Sequence, residues 1–139
     1  MTTHEAARSP LLDVSHLTAG FGVGDQFVAA VRDVSFSLAV GETLGLVGES
    51  GSGKSVTALS IMRLLQPPGR IAGGRIVFNG TDLLQLPETE MQHVRGAGIG
   101  FIFQEPMSAL NPVFTIGDQI AEALVIHGRA GWRDHFYHM

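Results

Sequence analysis

The sequence predicts an α/β fold, and three observations point to it. A short apolar run, "TLGLVG" (43–48), passes directly into a glycine-rich loop and then into a segment with helical spacing, Lys54 to Leu65. Ahead of it, stretches alternate apolar and polar residues as half-buried strands do. Behind it lie a second apolar run, 98–104, and a segment that opens with a helix-capping pattern.

Taken in order, residues 1–10 are small and polar and predict a flexible N-terminus. "LLDVSHLTAGF" (11–21) alternates as a strand, and "GVGD" (22–25) reads as a turn. "FVAAV" (27–31) and "VSFSLAV" (34–40) predict two further strands, closed by Gly41-Glu42. "TLGLVG" has the composition of a parallel strand buried on both faces. In the helix that follows, Val56, Leu59 and Met62 repeat at helical spacing, as do Ile61, Leu64 and Leu65, and Pro67-Pro68-Gly69 stops it. "GRIVFNG" (74–80) predicts a strand ending in an Asn-Gly turn, Pro87 to Arg95 a short polar helix, and "GIGFIFQ" (98–104) an apolar strand. Thr115 with Asp118 resembles a capping box, opening a helix through about Ile126 with Ile116, Ile120 and Leu124 on one face.

Composition narrows the function classes. The chain has 139 residues and a net charge of −4, so it shows no basic footprint for nucleic acid or anionic lipid. With no cysteine it has neither disulfides nor a thiolate metal site. No stretch approaches the ~18 apolar residues of a membrane span. The six histidines show no metal-ligand spacing; His135 and His138 stand three apart without a further ligand nearby.

Lys54 is the only lysine in the chain, and its surroundings say why it is there. Gly48-x-x-x-x-Gly53-Lys54-Ser55 matches the P-loop pattern at every fixed position. A strand must turn sharply there and deliver backbone N–H groups to a polyphosphate, which glycine permits. The following helix points its positive end at the phosphates. The lysine adds a mobile charge for the β- and γ-phosphates, and the serine adds a hydroxyl for Mg²⁺. The plain alternative is a glycine-rich turn with a lysine at a helix start, which leaves the strand–loop–helix order unexplained.

"AVRDVSFSLAVGETLGLVGESGSGKS" (30–55) and "FIFQEPMSALNPVFTIGDQIAEAL" (101–124) resemble the ATP-binding subunits of ABC transporters, in particular the oligopeptide and dipeptide importers. The resemblance covers about residues 11–128. It implies a RecA-like P-loop NTPase core with an antiparallel β-subdomain and the start of a helical subdomain, incomplete in this chain. Residues 11–130 would be the N-terminal part of an ATP-binding domain, with 131–139 an atypical, truncated tail. The implied ligands are ATP and Mg²⁺. Gly48, Glu49, Ser50, Gly51, Ser52, Gly53, Lys54, Ser55, Val56 and Thr57 would hold the phosphates. Ser55 and Gln104, the Q-loop glutamine, would meet the metal, and Lys54 and Gln104 would serve the reaction. Phe21 would stack on the base; a core or surface aromatic at a strand end is the alternative. For Gln104 the alternative is an ordinary polar strand end, and for "ALNP" a plain turn. The implied partners are transmembrane permease subunits and a second ATP-binding subunit, at the cytoplasmic face of the inner membrane.

Three further family elements do not occur in the sequence. These are a Leu-Ser-Gly-Gly-Gln helix start, an apolar strand ending in Asp-Glu, and a switch histidine after a later strand. The expectation is therefore the front part of a nucleotide-binding domain, with ATP-driven import as the parent function. Two alternatives stand beside it. One is a truncated, non-catalytic chain that binds nucleotide weakly or only associates with partners. The other is a different P-loop kinase; a GTPase would need an Asn-Lys-x-Asp motif, and the sole lysine is already used.

Overall fold

The computed structural model describes residues 9–105 and 110–128. Residues 1–8 of the N-terminus, 106–109 of the "EPMSALNP" stretch, and the 131–139 tail with its two histidines lie outside the described residues. The chain divides into two units at Leu86/Pro87. Among the described residues no helix is long and apolar enough to cross a membrane.

The first unit holds a four-stranded antiparallel sheet in the order β2-β1-β3-β4. Its strands are β1 (Leu12–Phe21), β2 (Val28–Leu38), β3 (Gly69–Phe78) and the short β4 (Thr81–Asp82). A 3-10 turn, Gly24–Gln26, joins β1 to β2. Helix α1 (Lys54–Ile61) packs on β1. Val14, Leu17 and Ala19 of β1, Val31 of β2 and Ile76 of β3 are buried, with Met62 and Leu83 beside them.

Strict alternation would bury residues of one parity along β1, yet Val14 and Leu17 are both inside. A bulge accounts for it. Val14 pairs with Phe36 but Leu17 with Val34, so β1 carries an extra residue across that step. His16 sits there at φ 53, and Asp33 faces it from β2 at φ 52. Two hydroxyls take up the amides turned out of the ladder: His16 N donates to Ser35 Oγ at 2.8 Å, and Asp33 N to Thr18 Oγ1 at 3.2 Å. The two strands expected over 27–31 and 34–40 are consequently one continuous strand. Arg32-Asp33 is a bulge in it and not a break.

β3 likewise runs through Gly73-Gly74 and begins earlier than the expected 74–80, with Gly74 at φ 104 in a second bulge against β1. It closes on β4 through the Asn79-Gly80 turn, both residues at positive φ (48 and 80), as the sequence predicts.

α1 ends at Ile61, four residues before the expected Leu65. Arg63 follows at φ 52, and its guanidinium donates to Leu83 O (3.1 Å) and Leu86 O (2.6 Å), which draws the chain out of the helical path. The helix buries Thr57 and Ser60, while Val56, Leu59 and Ile61 are half-buried. Each buried hydroxyl donates to a carbonyl one turn back, Thr57 to Gly53 O at 2.9 Å and Ser60 to Val56 O at 2.6 Å. No buried polar atom is thereby left unpaired there.

Segment 43–48 is not the buried parallel strand expected. It joins no ladder among the described residues, and Val47 is 95% exposed. A strand buried on both faces needs neighbours on both edges and helices above and below. The sheet of this unit is antiparallel and pairs with none of these residues.

In the second unit, Pro87 caps α2 (Glu88–Ala97), which kinks at Arg95 and Gly96, where φ/ψ leave the helical region. Arg95 is ion-paired with Glu88. The expected strand 98–104 is also unformed: one isolated bridge joins Arg95 to Ile99, and Ile102 is 91% exposed. Phe101 and Phe103 meet edge to face, ring centroids 4.7 Å apart. α3 (Ile116–Ile126) opens on Thr115 as predicted, with Asp118 N donating to Thr115 Oγ1 at 3.1 Å and that hydroxyl donating to Asp118 Oδ2 at 2.6 Å. Ile116, Ile120 and Leu124 are exposed.

The start of α1 is fixed against β2 at a single residue. Gly53 is buried at φ 91, and a Cβ placed on it would stand 2.6 Å from Ala30 O and 3.0 Å from Val31 Cγ2. Gly53→Ala is expected to destabilise the chain by about 1–3 kcal/mol, the cost of a left-handed residue with a side chain, before the contact with Ala30 is added. Urea denaturation of the two proteins measures it; an unchanged midpoint would contradict this placement of the helix.

Candidate functional site

The loop between the extended segment and α1 is built by two left-handed glycines, Gly51 at φ 82 and Gly53 at φ 91. Ser52 N donates to Glu49 O at 3.2 Å, and Thr57 N to Gly53 O at 2.8 Å. The second of these closes the first turn of the helix. The amides of Lys54, Ser55 and Val56, ahead of it, have no carbonyl within the helix to meet, as at any helix start. They add a positive end to the loop.

Lys54 Nζ bends back over the loop. It donates to Gly48 O and Glu49 O, each at 2.6 Å, and to Ser52 Oγ at 3.2 Å. The ammonium is therefore held at the mouth of the loop by two carbonyls and a hydroxyl, all of them neutral. Glu49, Ser50, Gly51, Ser52 and Ser55 are exposed, Val56 is half-buried, and Gly53 and Thr57 are buried. Of residues 48–57, the structure places Gly48, Glu49 and Ser52 directly on the Lys54 ammonium.

A cavity of about 410 Å³ opens beside this loop. Ser52, Lys54 and Thr57 line one side, Leu46 and Val47 another, and Ala29 to Arg32 with Val34 of β2 the third. The contribution of β2 has no local signal in the sequence. It follows from the Gly53–Ala30 approach, which depends on how the sheet meets the helix.

Phe21 closes β1, paired with Val28 on one side and Gly69 on the other. Its ring lies on Gly69, where a Cβ would come within 3.0 Å of Phe21 Cε1, and the residue remains 43% exposed. Its Cδ1–Cε1 side lies against Gly69, and part of the ring is open. A second cavity of about 410 Å³ adjoins it, lined by Gly22 to Gly24 and Pro67 to Arg70. At its edge the Arg70 guanidinium stacks 4.6 Å from the centre of the Phe27 ring.

Gln104 belongs to the second unit. It is exposed, in the irregular segment that follows Phe103. Of the residues singled out from sequence, Phe21 and 48–57 share the first unit and Gln104 does not.

The profile of the ABC transporter family matches residues 31–136. The oligopeptide transport ATP-binding protein OppD of Escherichia coli is 51% identical over 117 residues, covering 84% of this chain and 34% of that protein. OppD of Bacillus subtilis is 52% identical over 118 residues, covering 84% and 33%. The glutathione import ATP-binding protein GsiA of Shigella dysenteriae is 52% identical over 126 residues, covering 86% and 20%. The chain spans about a third of the length of the OppD proteins it matches. Among solved structures, the dimeric ATP-binding cassette MJ0796 in a post-hydrolysis state, bound to ADP and phosphate, superposes with a TM-score of 0.75. It is 23% identical, with 89% of this chain and 52% of that one covered, and so speaks for the fold. An α/β cassette fold, a complete P-loop motif and a family match over most of the length agree: this chain belongs to the ABC transporter family.

Proposed function

We propose that the chain is a nucleotide-binding part of an ABC importer's ATP-binding subunit, and that the parent protein uses ATP to drive uptake, of peptides in the first instance. The observation that carries the reading is the Lys54 ammonium, poised over Gly48 O and Glu49 O beside the open amides of α1. An array of N–H groups, a helix N-terminus and one oriented cation suits an anion such as a polyphosphate. The peptide- and glutathione-import relatives support the substrate class.

On this reading Gly48 to Thr57 wrap the phosphates. Lys54 neutralises charge on the β- and γ-phosphates. Ser55, exposed at the first turn, would offer a hydroxyl to Mg²⁺, and Gln104, exposed in the second unit, is proposed as a further oxygen donor. Both are neutral donors, a set that suits a hard cation already carried by phosphate oxygens. Phe21 offers the base a flat apolar face without reading its edge. Transmembrane permease subunits and a second ATP-binding subunit are the proposed partners, at the inner face of the cell membrane. The cassette dimer among the solved structures is consistent with the second of these.

A second reading, nucleotide binding without turnover by this chain alone, is favoured by one observation. The carboxylates after the loop include Asp82, in β4, and Asp118, in the first turn of α3, and neither ends an apolar strand from which it would activate water.

Three outcomes test these readings. Lys54→Ala should weaken ATP binding about tenfold or more, the order of a charge-assisted hydrogen bond to phosphate; equal affinity by isothermal titration would end the nucleotide reading. Phe21→Ala should cost about 1 kcal/mol for ATP and GTP alike; a strong preference for one purine that survives the substitution would mean that the base is held elsewhere. The 139-residue chain should release no phosphate from ATP above the Lys54→Ala background; Lys54-dependent turnover would show that a catalytic base is present.

A further inference from the structure

We propose that Arg32 is a second cation of the nucleotide site, holding the phosphate chain from the β2 side, across the cavity from Lys54. The inference rests on the nucleotide reading and adds to it a residue outside the motif. Three observations carry it. First, Arg32 and Lys54 both line the 410 Å³ cavity, and no acidic residue does. Second, Arg32 is exposed and its side chain, among the described residues, takes part in no hydrogen bond or ion pair, so its five donors are available. The adjacent carboxylate, Asp33, is instead engaged by His16 Nδ1 at 2.6 Å. Third, the positions along β2 fit a nucleotide. Val28 pairs with Phe21 at the base end, Ala30 touches the loop at Gly53, and Arg32 lies farther along in the same direction. At about 3.3 Å per residue, the distance from Val28 to Arg32 is roughly 13 Å. A nucleotide with its base on Phe21 and its phosphates at Lys54 would run along this strand and reach Arg32 with its phosphate end.

Strand alternation places Arg32 on the face opposite the buried Val31, so its side chain is not drawn into the core. An arginine suits the role because its planar fork meets two phosphate oxygens at once.

The test uses the full chain with a fluorescent ATP analogue displaced by ATP, ADP or AMP. The proteins compared are wild type, Arg32→Gln, Arg32→Lys, Phe21→Ala and Lys54→Ala. Arg32→Gln should weaken ATP roughly tenfold, the order of a charge-assisted contact, and leave AMP nearly unchanged. Its ATP affinity should also depend less steeply on salt than that of wild type. Arg32→Lys should recover part of the loss, which a fold defect would not allow. Phe21→Ala should weaken all three nucleotides alike. Wild-type ATP affinity in Arg32→Gln, or an equal loss for ATP and AMP, would overturn the role of Arg32. If Lys54→Ala is weakened and Arg32→Gln is not, only this inference falls. If neither is weakened, the nucleotide reading falls with it.

Discussion

Gly53 meets Ala30 where no side chain can stand between them. The geometry of the site depends on that contact. It brings the start of α1, with its unpaired amides and Lys54, against the edge of β2. It makes β2 a wall of the cavity and fixes which of its residues face the loop. The conformation at φ 91 also sets the direction in which the loop leaves the helix, back towards Gly48 and Glu49. A motif that looks like a local arrangement of glycines therefore has a tertiary requirement: one of its glycines is small because another strand needs the space.

The sheet meets that requirement through irregularities. A regular β1–β2 pair would hold one register from end to end, with one parity inside. The bulges at His16 and Asp33 shift the register midway and let Val14, Leu17, Ala19 and Val31 all reach the core. Ser35 and Thr18 receive the amides that the bulges release. From the sequence, Arg32-Asp33 reads as a gap between two strands, since charged residues in succession end an apolar alternation. Propensity cannot distinguish a bulge from a break. The distinction rests on whether hydroxyls on the neighbouring strand are there to accept the freed amides, and that is known only once the strands are paired.

The same limit explains which elements were legible. The capped start of α3, the Asn79-Gly80 turn and the start of α1 are fixed by residues within a few positions, and each forms where the sequence puts it. The turn at Gly51 and Gly53 ahead of the helix was legible for the same reason, from glycines at fixed spacing. Segments 43–48 and 98–104 have the apolar composition of buried parallel strands and are not strands here. A parallel strand takes its hydrogen bonds from neighbours distant in sequence. Composition states what such a segment would bury, and pairing decides whether it is buried. The β2 wall of the cavity was not legible because nothing in residues 29–34 refers to the loop twenty positions later.

Lys54 shows how the loop keeps a cation ready without binding it too firmly. Its three N–H donors are all occupied: two at 2.6 Å by the carbonyls of Gly48 and Glu49, one at 3.2 Å by Ser52 Oγ. The two short contacts orient the ammonium, so little rotamer freedom remains to be lost when an anion arrives. The long one is to a neutral hydroxyl and is the weakest of the three. A phosphate oxygen taking that third position exchanges a neutral acceptor for a charged one, while both carbonyl contacts stay in place. The Ser52 contact already has a charged donor; an anionic acceptor would add ion pairing to it, which on the proposed reading is what lets phosphate displace the hydroxyl. On the proposed reading, a preference for anions would follow from the same arrangement. A neutral ligand offers the third donor nothing better than Ser52 already supplies.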